Sequence, residues 1–164
     1  MTDAQPPFGP CPCGRGLAYP ECCGRWHVRH AADGTLAAPT AEDLMRSRYT
    51  VFARIGAAGP VDQDRHDDAA RTVAAMVAYL RATWAPEMRP AAADLTPGPG
   101  EAPTVFTRLA VTDATGGGPF DPAGTVSFTA LGRDASGGRV RLTERSRFRR
   151  EGGFWRYVDG DVAG

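Results

Sequence analysis

The chain has no lysine: among its 164 residues all 19 basic side chains are arginine, set against 19 acidic ones. The formal charge is zero, so no bulk electrostatic pull directs the chain to nucleic acid or to an anionic membrane. No apolar run approaches the roughly 20 residues that a membrane span requires. Met1 to Pro10 lacks a basic start and an apolar stretch and does not read as a signal peptide. Also missing are a nucleophile elbow, a phosphate loop, a histidine pair at metal-site spacing and any internal repeat. The expected compartment is the reducing cytoplasm, where clustered cysteines suggest a metal before a disulfide.

Cysteine is scarce, and all of it lies in the first 23 residues, as Cys11, Cys13, Cys22 and Cys23. The spacing is Cys-x-Cys, eight residues, then Cys-Cys. Eight residues suffice to double the chain back and bring two ligand pairs together in the tetrahedron that zinc prefers. Gly14, Gly16 and Gly24 permit the tight backbone, and Arg15, Arg25 and Arg29 lie nearby to offset thiolate charge. A bridge between adjacent Cys22 and Cys23 would be strained, which weighs against disulfides. His27 or His30 is an alternative fourth ligand. Four protein ligands leave no open position, so one structural, non-catalytic zinc ion is expected.

Residues 1–39 are rich in Gly, Pro and Cys and show no sustained apolar period, as expected of a small stapled unit. A second unit, residues 40–164, is expected to carry its own core. Thr40 followed by Glu42 and Asp43 reads as a capped helix start, and Leu44, Val51, Phe52 and Ile55 recur at helical spacing up to Gly56 and Gly59-Pro60. An acidic loop, Asp62 to Asp68, precedes a second helix over about 69–84, with Val73, Met76, Val77, Leu80 and Trp84 on one face. From Thr104 the pattern alternates, predicting strands near 104–113, 124–132, 139–150 and 153–159 with glycine turns at Gly137-Gly138 and Gly152-Gly153. Helices followed by a meander give an α+β class, helices packed on one face of an antiparallel sheet.

Cys11-Pro-Cys13-Gly-Arg15-Gly16 with Cys22-Cys23 resembles the SEC-C zinc knuckle of the SecA translocation motor. Together with Leu44-Met45-Arg46-Ser47-Arg48-Tyr49, Tyr79-Leu80-Arg81-Ala82-Thr83-Trp84, Glu144-Arg145-Ser146-Arg147-Phe148 and Trp155-Arg156-Tyr157-Val158-Asp159-Gly160, it is similar to the YchJ-like family. That resemblance implies a nuclear-transport-factor-2-like cone, a curved sheet wrapped by helices, behind the knuckle. It implies fold and metal but no activity. Arg15 stands where the knuckle pattern usually has serine, and Ala85 where relatives often have histidine.

Two functional classes follow. One is a binding or adaptor module that docks a protein or ribosomal partner or a second copy of the chain, with nucleic acid poorly supported as main target. The other is a small-molecule pocket or an isomerase- or lyase-type enzyme, for which Tyr49, Glu144, Tyr157 and Asp159, with His66 if its loop folds over, are the acid–base candidates. A closed, aromatic-filled cone favours the first, and an open cavity with Glu144 or Asp159 facing a tyrosine favours the second. Phe52, Trp84, Phe106, Phe128, Phe148 and Trp155 read as core. Arg48 falls inside the first helix's apolar stripe and Glu144 inside the apolar face of the third strand, which predicts that the two meet directly or through one residue. The opposite face of that strand carries Arg139, Arg141, Arg145, Arg147 and Arg149, interrupted by Thr143: a solvated face or a docking row.

Overall fold

Thr40 sits just before the first long helix with its hydroxyl accepting from the Asp43 amide at 3.1 Å, and the chain then runs helical over Ala41–Ala58 (α2). In the computed structural model, which describes residues 9–59 and 68–163, α2 is preceded by α1 (Gly24–Asp33) and followed by α3 (Asp68–Thr83) and a short turn of helix, α4 (Ala92–Leu95). Four strands complete the chain: β1 (Val105–Gly116), β2 (Ala123–Arg133), β3 (Arg139–Glu151) and β4 (Phe154–Ala163). They pair in chain order as one antiparallel sheet. No described helix is long and apolar enough to cross a membrane.

The two helices and four strands expected from periodicity are present, and Gly137, Gly152 and Gly153 supply the positive φ that the turns require. Two features differ. Residues 24–33 form a helix that the apolar pattern does not signal, because Trp26 is its one large buried apolar side chain and Val28 points outward. β4 runs to Ala163, beyond its expected end, and a register shift between Arg147 and Phe148 decides which way its carboxylates face.

α2 lies across the sheet and touches all four strands, while α3 packs on α2 and reaches β4. Between α2 and α3, Val51, Ile55, Val73, Met76, Val77, Tyr79 and Leu80 are buried together. A second buried cluster joins the cysteines and Trp26 to Leu44, Met45 and Tyr49 of α2 and to Leu109, Val126, Phe128 and Phe148 of the sheet. The knuckle therefore shares its core with the helix and strands behind it. At the end of α3 the chain is fastened to β4: Ala85 donates its amide to the Tyr157 carbonyl at 2.7 Å, and Arg156 reaches the Ala82 carbonyl.

Candidate metal centre and cavity

The cysteine-bearing turn closes through backbone bonds, Cys11 N–H to the Leu17 carbonyl at 2.8 Å and Cys22 N–H to the Tyr19 carbonyl at 3.1 Å. Gly14 and Gly16 take φ of 83° and 81° there, a left-handed backbone that suits glycine. Cys23 caps α1, so the second cysteine pair is set by the helix start. All four thiols are buried and free, and their sulfur atoms lie within 4.8 Å of one another. A tetrahedral zinc at the usual Zn–S length of about 2.3 Å separates sulfurs by roughly 3.8 Å, so the residues fit one metal ion. Without a cation, Cys11 is held low by S–H bonds from Cys13 and Cys23. Cys23 is pushed up by those same contacts, and Cys22 is pushed up to about 11 by burial and by Cys13. Four thiols pressed together do not ionise together unless a divalent cation offsets their charge.

Neither histidine is in this group. His27 accepts from Tyr19 Oη at Nδ1 (2.8 Å) and donates from Nε2 to the Ser47 carbonyl (3.0 Å), so both ring nitrogens are spent. Burial holds it neutral, its pKa lowered to about 4. His30 packs edge-on against Tyr79. Two of the nearby arginines also have tasks: Arg25 lies over the Trp26 ring, and Arg15, at its unusual position, binds Asp43 in the first turn of α2. Arg46 donates to the Cys13 carbonyl at 2.7 Å, a second tie from α2 to the cysteine loop.

Between α2 and the sheet lies a cavity of about 350 Å³. Its apolar walls are Met45, Phe52, Phe106, Phe128, Leu142 and Phe148. Several aromatics expected to fill the core thus also surround a space. Arg48, Glu144, Ser146 and Tyr157 bring polar groups to it, together with Tyr49 and Trp84.

Arg48 is 6% exposed and makes no ion pair with any described residue. Its Nη1 donates to the Leu80 carbonyl (3.1 Å) and Thr83 Oγ1 (2.7 Å), and its guanidinium lies 4.3 Å from the Trp84 ring centroid and 4.4 Å from that of Tyr157. Burial lowers its pKa to about 10, which leaves it charged at neutral pH. The expected meeting of Arg48 with Glu144 occurs through one residue: Tyr157, under the guanidinium, donates its hydroxyl to Glu144 Oε1 at 2.8 Å. Ser146 donates to the same oxygen at 2.8 Å. Burial and the Glu144 contact together raise the Tyr157 pKa.

Of the other candidates, Tyr49 lines the cavity, but its hydroxyl is buried with no described partner, and its pKa is pushed up to about 12, chiefly by burial. Asp159 is not in the cavity. The irregularity at Arg147/Phe148 turns it to the outer face, where it binds Arg147 at 2.5 Å beside Asp161 at 2.6 Å. Those two acids, with Glu87 and Glu151 on Arg149, neutralise one end of the arginine row that the sequence leaves unopposed. Arg139 and Arg141 pair with no described carboxylate. His66 and most of the acidic loop lie outside the described residues.

A family model described as "YchJ, middle NTF2-like domain" matches residues 72–160. A UPF0225 protein of Streptomyces coelicolor is 42% identical over 155 residues, covering 94% of this chain and 97% of that protein. A UPF0225 protein of Bordetella parapertussis is 38% identical over 160 residues, covering 96% and 98%. The solution structure of a SEC-C motif containing protein from Rhodopseudomonas palustris superposes with a TM-score of 0.66 at 29% identity, covering 94% of this chain and 99% of that one. An NTF2-like α+β layer carrying a clustered-cysteine knuckle at its N-terminal end is therefore the architecture, and the chain belongs to the YchJ-like family of UPF0225 proteins.

Proposed function

We propose that this chain is a zinc-stapled protein that holds a small, mostly apolar molecule in the cavity between α2 and the sheet. The observation that carries the reading is the Arg48–Tyr157–Glu144 chain set into apolar walls. A filled core gains nothing from two charged groups in its middle, whereas binding sites combine apolar walls with a few convergent polar groups. The volume, about 350 Å³, falls at the small end of ligand pockets, which span about 300–1,000 Å³. One zinc ion on Cys11, Cys13, Cys22 and Cys23 is the structural part of this reading, supported by four buried sulfurs at tetrahedral reach. The test is equilibrium binding of small, mostly apolar probes bearing one neutral polar group to wild type and to Leu142→Trp, which fills the space. Saturable one-to-one binding in wild type that the variant loses supports the cavity. Equal binding, or none, ends it.

A second reading, an adaptor for a protein or ribosomal partner in the cytoplasm, keeps one observation in its favour. Arg139 and Arg141 are exposed on the outer sheet face without described carboxylates, and guanidinium groups recognise acidic surfaces. Capture from native extract by wild type but not by an R139E/R141E variant, at low salt only, would support it.

A further inference from the structure

We infer that the cavity selects an uncharged molecule whose polar head both donates and accepts a hydrogen bond, a hydroxyl or a carboxamide on an apolar body. This rests on the cavity reading above and names its ligand class. The argument begins with unused bonding capacity. Glu144 Oε1 takes both hydroxyl donors, Tyr157 and Ser146, while Oε2 accepts from no described residue. Two hydroxyls donating to Oε1 leave Oε2 as the carboxylate's spare acceptor. Arg48 spends only Nη1 on the protein; Nε and Nη2 donate to no described residue. Both residues line the cavity, so it presents one free acceptor and free donors, linked through Tyr157.

Charge then decides the class. The guanidinium and the carboxylate offset one another inside the cavity, and the remaining walls are mostly aromatic and aliphatic. A ligand with a carboxylate or an ammonium group adds a third charge that nothing in the cavity balances, and an unbalanced buried charge is costly. A wholly apolar ligand leaves Glu144 Oε2 and the Arg48 donors dry and unpaired. A neutral head avoids both penalties.

The experiment is a matched series on one scaffold: 2-naphthol, 2-naphthamide, naphthalene, 2-naphthoate and 2-naphthylmethylammonium, titrated calorimetrically into the zinc-loaded full-length protein. Naphthol and naphthamide are expected to bind about tenfold or more tighter than the other three. In Glu144→Gln the free acceptor becomes a donor and the cavity gains net positive charge, so naphthoate should overtake naphthol. If naphthalene binds as tightly as naphthol, or a charged probe binds wild type best, the ligand class is wrong and the cavity reading survives. If none of the five binds, the cavity reading itself fails. The wild-type series alone separates these outcomes should the variant not fold.

Discussion

The carboxylate of Glu144, which pairs with Val162, reaches diagonally over Gly160, the residue opposite Ser146 across β3 and β4. A Cβ at Gly160 would overlap Oε1 and the carboxyl carbon, so glycine at this position is what lets Glu144 lie flat and accept from Tyr157. Gly160→Ala should therefore cost about 1–3 kcal/mol, as overpacking does. The cost should shrink in a Glu144→Ala background, and denaturant melts of the four proteins measure that coupling. Simple additivity would show that the two residues are independent.

Arg48 is the hub between α2, the end of α3 and β4. Arg48→Ala should destabilise by about 3–5 kcal/mol, because it empties a buried site and leaves the Leu80 carbonyl and Glu144 without their cation. Arg48→Met fills the volume and should lose less. Chemical denaturation checks the order; a harmless Arg48→Ala would mean the guanidinium contributes nothing to the packing.

Metal removal should be felt beyond the knuckle. Cys11, Cys13, Cys22 and Cys23 are buried in one cluster with Leu44, Tyr49 and Phe128, so the knuckle and the layer behind it have packing in common. Chelation should release about one zinc per chain and lower the melting temperature of the whole protein in a single transition. Two separate transitions, with the later one unmoved, would contradict this.

His27 gives a pH signature. Its folded pKa, about 4, lies below the usual 6.5, so the unfolded chain binds the proton more readily between those values. The neutral ring's contribution is complete above pH 6.5, is lost as pH falls from there toward 4, and amounts to about 3 kcal/mol across the window. Stability curves should therefore fall more steeply over that range in wild type than in His27→Gln. Parallel curves would show that the proton is taken up elsewhere.

On the outer sheet face the two ends of the arginine row should respond differently. Arg147→Glu places an acid against Asp159 and Asp161 and should lower the melting temperature slightly, an effect that salt diminishes. Arg141→Glu breaks no described ion pair and should leave stability unchanged. Thermal melts at low and high salt decide it.

Much of this was legible in the chain. The cysteine spacing brought the four thiols together, Thr40 and the apolar stripe gave α2, and the period of two placed Glu144 on the same face as Leu142, Ser146 and Phe148. What stayed hidden depends on contacts distant in sequence. α1 is held by one buried tryptophan and a histidine whose partners, Tyr19 and Ser47, lie on either side of it in sequence. The direction of Asp159 turns on one irregular step in pairing, which reverses the parity of every residue beyond it and leaves no mark in composition. That aromatics enclose a space instead of closing it is set by the distance between α2 and the sheet, a quantity no local pattern encodes.

The clip that joins Ala85 to Tyr157 bears on how this protein can be recognised. Trp84 bridges in parallel to Tyr157 along the free border of β4, so the outward backbone groups there already have company. The opposite border, β1, is broken by register shifts at Phe106/Arg108 and Val111/Asp113. Among the described residues both margins of the sheet thus interrupt the straight row of unpaired amides and carbonyls through which one chain recruits another as an added strand. A strand added at either border therefore meets a clip at Tyr157 on one side and a kinked ladder on the other.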